Sequence, residues 1–194
     1  RISSILTSVA GTSMLLLLVL TMVVSLIMGM GVPTTAAYLV LASLVAPTMI
    51  QLGIPPLAAH MFIFYFGCIS SITPPVALAA YAGAGLAGCD PNKTGYKAFR
   101  LAFCSFLMPY LFVYNPVLLM EGGVLDILWS LVTALIGAYL LASGFEGFFF
   151  RWSLKWFERP LMILGAVMLI VPGMVTDLVG IAIIVVEFVT EFMF

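Results

Sequence analysis

Two short stretches hold the polar atoms that an otherwise apolar chain could use for chemistry. Gly29-Met30-Gly31-Val32-Pro33-Thr34-Thr35 sets two hydroxyls beside two glycines and a proline. Ser70-Ser71-Ile72-Thr73-Pro74-Pro75 sets three hydroxyls beside two prolines. Neither stretch contains a carboxylate, lysine or histidine, and no Asp, Glu, Lys or Arg occurs between Arg1 and Asp90. A proton relay built on titratable side chains is therefore disfavoured. What remains is oxygen chemistry. A helix interrupted within a bilayer leaves carbonyls at one half-helix end and amides at the other; carbonyls with Ser/Thr hydroxyls form a hard-oxygen cage for Na⁺, and the amides receive an anionic group. The expected ion- and substrate-binding set is Gly29, Gly31, Thr34, Thr35, Ser70, Ser71, Thr73, Pro74 and Pro75, with Thr35, Ser71 and Thr73 as Na⁺ ligands. The glycines allow backbones to approach closely. The competing structural reading is that small residues and hydroxyls serve helix packing, where they are common.

The elements that position these residues are set by the solvent, and the solvent is lipid. The 194 residues are 64% hydrophobic and 8% charged, against roughly a quarter charged in a soluble domain. Apolar runs recur near the ~20 residues that cross a ~30 Å hydrocarbon core. The sequence predicts an all-α, multi-pass membrane protein. An apolar block over 9–28 ends in the first stretch, a second over 36–50 follows at once, and Gln51-Leu52-Gly53-Ile54-Pro55-Pro56 closes it. Hydropathy leaves two geometries, a pair of full spans or a re-entrant hairpin over about 9–50 with its tip buried in protein. A Gly/Pro/Thr tip favours the second, because irregular backbone at membrane depth is tolerated only where protein or a polar cavity satisfies it. The run over about 57–88 is interrupted by Pro74 and Pro75. Each lacks an amide donor and clashes with the preceding turn, which predicts two half-helices rather than a kinked span.

Charge sets the direction of each segment. Lys93, Lys97 and Arg100 form one basic cluster and Arg151, Lys155 and Arg159 another, together six of the seven Lys/Arg. Apolar segments over 101–120 and 124–145, joined by Glu121-Gly122-Gly123, return the chain to the same side. The positive-inside tendency makes that side cytoplasmic. Traced backwards, residues 51–56 lie outside, the hairpin dips in from outside, and its tip meets the 70–75 break near mid-depth. Phe148, Phe149, Phe150, Trp152 and Trp156 form an expected interfacial belt. After Pro160 come apolar stretches over 161–171 and 178–194, separated by Pro172-Gly173 and forming a short hairpin or a bent span. His60 reads as an interfacial side chain, and Glu121, Asp126 and Asp177 as solvated charges. The domain expectation is a transport-core part over 1–120, closed by a helix over about 101–120, and a C-terminal membrane extension over 121–194.

Several function classes fall away. A formal net charge of −1 offers no basic patch for nucleic acid. Cys68, Cys89 and Cys104 lack metal or redox spacing. One histidine and no Gly-x-Ser-x-Gly motif leave no nucleophile–base pair, so no enzyme and no cofactor are expected. A channel calls for a polar stripe through several helices; local, paired interruptions are how carriers look. The alternative is a non-transporting scaffold or assembly subunit in which both breaks are packing kinks. Arg1 in place of Met, with no signal-peptide pattern before the first apolar run, is expected of a fragment of a longer chain.

The same residues carry a family resemblance. Gly-Met-Gly-Val-Pro-Thr-Thr at 29–35 resembles the hairpin tip of the large permease subunit of tripartite ATP-independent periplasmic (TRAP) transporters. Ser-Ile-Thr-Pro-Pro-Val-Ala-Leu at 71–78, followed by Ala-Gly-Ala-Gly-Leu-Ala-Gly at 82–88, resembles that subunit's last discontinuous helix. Residues 60–81, Lys-Thr-Gly-Tyr-Lys-Ala at 93–98 and Phe-Val-Tyr-Asn-Pro at 112–116 are similar to the fused permeases of the TAXI branch, and the tail from about Val124 to their C-terminal extension. Where the family commonly has an acidic residue before Thr-Thr, this chain has Pro33. The resemblance implies half of an inverted-repeat, elevator-type importer, usually Na⁺-coupled, in a bacterial or archaeal cytoplasmic membrane. It also implies a periplasmic solute-binding protein that delivers a carboxylate-bearing solute, and the remainder of the permease polypeptide as a necessary partner.

Overall fold

Prolines and glycines punctuate the helices where the sequence places them. The computed structural model describes residues 13–149, 152–171 and 173–193. The expected first-block residues 9–12, Phe150, Arg151, Pro172 and the side chains of Trp152, Glu187 and Glu191 lie outside the described residues. Two compact units divide between Val113 and Tyr114.

In the first unit, α1 (Met14–Gly29) and α2 (Thr34–Leu44) form a helical hairpin, and both pack on α4 (Pro56–Ile69). At 1.5 Å per residue α1 is about 24 Å long and α2 shorter still, so neither alone matches the hydrocarbon core. The second block is not one helix: the chain bends at Val45 and resumes as α3 (Ala46–Gln51), with Pro47 in its first turn. Tyr38 of α2 fastens the hairpin to α4. Its hydroxyl lies 3.1 Å from His60 Nδ1 and its ring meets Phe64 edge-on. His60 is thus an internal, half-buried partner as well as a polar side chain near a helix end.

After α4 comes a single 3₁₀ turn, Ser70–Ile72, and α-helix resumes only at α5 (Leu78–Ala87). Asp90 then caps α6 (Pro91–Ala102), its side chain accepting from the Lys93 amide at 2.9 Å. The first basic cluster sits on this helix, with Lys93, Lys97 and Arg100 exposed. Tyr81 of α5 packs over Gly95, where an added Cβ would lie 2.9 Å from its ring. The expected closing helix over 101–120 is instead a series of short pieces: a 3₁₀ turn at Phe103–Leu107, α7 (Met108–Tyr114), and a 3₁₀ turn at Pro116–Leu119. Pro109 and Pro116 account for this, since each removes a helical donor and crowds the preceding turn. The Phe66 ring of α4 meets Phe106 at a tilt and Tyr110 edge-on, which holds this segment to α4.

The second unit contains α8 (Val124–Glu146), a two-residue β pair in which Phe148 and Phe149 face Ser153 and Trp152, then α9 (Glu158–Ile170) and α10 (Met174–Met193). The last two helices pack as a hairpin. Among the described residues, α8 is the one helix both long and apolar enough to cross a bilayer by itself. Small residues seat it on α9. A Cβ at Gly144 would lie 2.7 Å from Ile163 Cγ1 and 3.2 Å from the Arg159 carbonyl, and one at Gly137 would lie 3.0 Å from the Ala166 carbonyl. Such close approach is how helices associate where lipid supplies no hydrophobic drive. Gly137→Val should therefore force α8 off α9, at a cost of about 1–3 kcal/mol. Thermal melting should report that loss, with protease cleavage between α8 and α9; an unchanged melt would place the packing elsewhere.

Candidate functional site

The hairpin tip and the helix break touch. Gly29, the last residue of α1, is buried against the 3₁₀ turn: an added Cβ would stand 2.5 Å from Ser70 Oγ, 3.0 Å from Ser70 Cβ and 3.2 Å from the Gly67 carbonyl. Gly31, in the tip with φ +76°, would bring a Cβ to 3.8 Å from Val76 beyond the break. Both glycines are required, the first by proximity and the second by its left-handed backbone.

The hydroxyls at the break share one arrangement. Ser70 Oγ donates to the Gly67 carbonyl at 2.6 Å, Ser71 Oγ to that of Cys68 at 2.7 Å, and Thr73 Oγ1 to that of Ile69 at 2.8 Å. These carbonyls belong to the last turn of α4, where the regular helical ladder ends, and that of Cys68 also accepts the Ser70 amide. The expectation of bare carbonyls at this half-helix end is modified: each carries a hydroxyl. A hydroxyl that donates its proton still has oxygen lone pairs to offer, so the end of α4 presents a row of hard oxygens at a partially negative helix terminus. Ser70 and Thr73 are buried, while Ser71 and Pro74 are half-buried and Pro75 exposed. The Pro74–Pro75 peptide is cis, and Tyr81 Oη donates to the Pro75 carbonyl at 2.8 Å. Ala77, fully buried, then begins α5 at φ 32° and ψ 46°. This left-handed conformation costs a non-glycine residue roughly 1–2 kcal/mol.

Thr34 and Thr35 occupy the first turn of α2, whose cap, Pro33, makes no side-chain bond to it. Both threonines and Gly31 are exposed. The first-turn amides and the two hydroxyls thus form a donor-rich surface at a partially positive helix end. The tip and break together combine an oxygen-rich helix C-terminus with an amide-rich helix N-terminus, and contain no charged side chain.

Two further residues belong to this region and were missed in the sequence. Thr21 and Ser25 are fully buried on the α1 face that leads to Gly29, and neither hydroxyl oxygen has a hydrogen-bond partner. Their spacing of i, i+4 and i+8 with Gly29 was the available signal, hidden by the apolar residues around it.

A short helical hairpin thus packs on an apolar helix that is interrupted between Ile69 and Leu78. The family model for the DctM component of tripartite ATP-independent periplasmic transporters matches residues 1–127. The chain belongs to this family of membrane transport components. Comparison with curated proteins and with solved structures gave no match. The family match ends within α8, so most of the second unit lies beyond it.

Proposed function

We propose that the chain supplies one half of the transport site of an ion-coupled importer, with Na⁺ as coupling ion and a carboxylate-bearing solute as cargo. The observation that carries this reading is the contact of Gly29 with Ser70, which joins the two polar interruptions into one region. In this reading Na⁺ sits near Ser71, Thr73 and Thr35, held by hydroxyl lone pairs at the end of α4. The solute carboxylate meets the donors at the start of α2. Membership of the family supports the remaining parts: a periplasmic binding protein that delivers the solute, a multi-pass setting in the cytoplasmic membrane, and a second, inverted repeat that covers the exposed Gly31, Thr34 and Thr35. TAXI-type organisation and an elevator motion belong to the same proposal.

Thr35→Val and Thr73→Val test it, since each removes a hydroxyl while nearly conserving shape. In the intact permease, reconstituted with its binding protein, each should raise the Na⁺ concentration for half-maximal uptake by about tenfold, equivalent to ~1.4 kcal/mol. Uptake that keeps wild-type sodium affinity in both variants rejects the ion assignment.

A further inference from the structure

A second site lies outside the hairpin and the break. The second unit contains a half-open cavity of about 490 Å³, lined in part by buried Asn115, Thr133 and Asp177 and by the exposed side chains of Trp129, Leu178 and Ile181. Asp177 was expected in solvent, yet it is 7% exposed in the first turn of α10. Its Oδ2 accepts the Trp129 indole N–H at 2.8 Å, and it forms no ion pair among the described residues. The start of a helix favours a carboxylate by about 0.3–1 kcal/mol. That offsets only part of the desolvation of a buried charge, which ordinarily requires a paired cation. One oxygen is held by the indole and the other has no protein donor among the described residues.

We propose that this cavity binds a small amphipathic organic cation, with a primary ammonium on Asp177 and an apolar body between Trp129, Leu178 and Ile181. The volume decides against a bare metal ion. A water molecule's share of liquid volume is ≈30 Å³, and cavities of several hundred Å³ accommodate organic molecules. No group of three metal-ligating carboxylate, thiol or imidazole side chains occurs among the described residues. Asn115 and Thr133 are both buried, the Thr133 hydroxyl donating to the Ser130 carbonyl, and they give the ammonium neutral polar neighbours while Asp177 supplies the charge. Trp129 and Asp177 lie near the starts of α8 and α10, so the cavity sits at one end of this helix group rather than at its centre.

The probe is benzylamine, with benzyl alcohol as its neutral analogue, titrated against the full chain in nanodiscs with ¹⁹F-labelled tryptophan. The Trp129 resonance is assigned by its loss in Trp129→Phe. Benzylamine should shift that resonance saturably, and benzyl alcohol should bind at least about tenfold more weakly, as expected for loss of a charged hydrogen bond. Asp177→Asn retains an acceptor for the indole and should weaken benzylamine binding by a similar factor. Thr133→Leu fills the cavity without altering the carboxylate and should block both probes. No saturable shift, equal affinity for the two probes, or undiminished benzylamine binding in a folded Asp177→Asn or Thr133→Leu protein overturns the proposal.

Discussion

A single methyl group at Gly29 should reduce sodium-driven uptake by at least about tenfold, the equivalent of ~1.4 kcal/mol at the site. The Cβ of Gly29→Ala would occupy space 2.5 Å from Ser70 Oγ and 3.0 Å from Ser70 Cβ. Two routes relieve the clash. Ser70 can rotate away from the Gly67 carbonyl it binds at 2.6 Å, leaving a buried acceptor without its donor at a cost of about 1–3 kcal/mol. Alternatively α1 can lift from α4, which separates the tip from the break. The first turns Ser70 Oγ, a member of the expected binding set, off the end of α4, and the second parts the tip with Thr35 from Ser71 and Thr73, the oxygens proposed to hold the ion. Gly31→Ala makes the contrast: its φ of +76° strains a side chain, but the nearest atom is Val76 Cγ1 at 3.8 Å, so a smaller loss is expected. The double variant Gly29→Ala/Ser70→Gly removes the clash and the hydroxyl together. If Ser70 serves packing alone, uptake returns; if its oxygen serves the ion, thermal stability returns while sodium affinity stays low. Wild-type uptake and sodium dependence in Gly29→Ala, at equal membrane abundance, would reject the coupling of tip to break.

The parts legible in the sequence were those where a local rule acts without competition. Pro74 and Pro75 cannot continue an α-helix, and the helix stops before them at Ile69. Gly29 and Gly31 marked a tip because few other residues suit a close approach or a positive φ. Side-chain direction was harder to read. Asp177 resembles any acidic residue after a Pro-Gly turn, and its burial depends on Trp129, 48 positions away. Residues 91–102 stand out in the sequence only as a basic cluster, although Asp90 before Pro91 is a usable start signal for α6. The opposite error occurred at 101–120, where apolar composition outweighed Pro109 and Pro116. The hydroxyls at the break were found, but their use was not. Pointing back to the carbonyls of Gly67, Cys68 and Ile69 is a local choice for Ser and Thr, and residue type alone does not reveal it.

Removing the hydroxyls of Thr21 and Ser25 should stabilise the protein and impair it at once. Both side chains are 0% exposed and their oxygens have no partner. An unsatisfied buried polar group costs about 1–3 kcal/mol, and in a helix Ser or Thr ordinarily avoids this by donating to the carbonyl four residues back. Thr21→Val and Ser25→Ala remove the polar atom and leave apolar surface in an apolar place, so each should raise the melting temperature measured without sodium. A hydroxyl that served packing alone would give that result and nothing more. These oxygens lie one and two turns before Gly29 on the same face of α1, and we extend the proposed ion path to them. Each variant should then show a sodium affinity weakened by about tenfold, read as a smaller sodium-induced rise in melting temperature. The two effects have opposite signs, so general damage to the fold cannot produce both. Higher stability with unchanged sodium affinity would remove Thr21 and Ser25 from the ion's path and leave the oxygens at the break as the site.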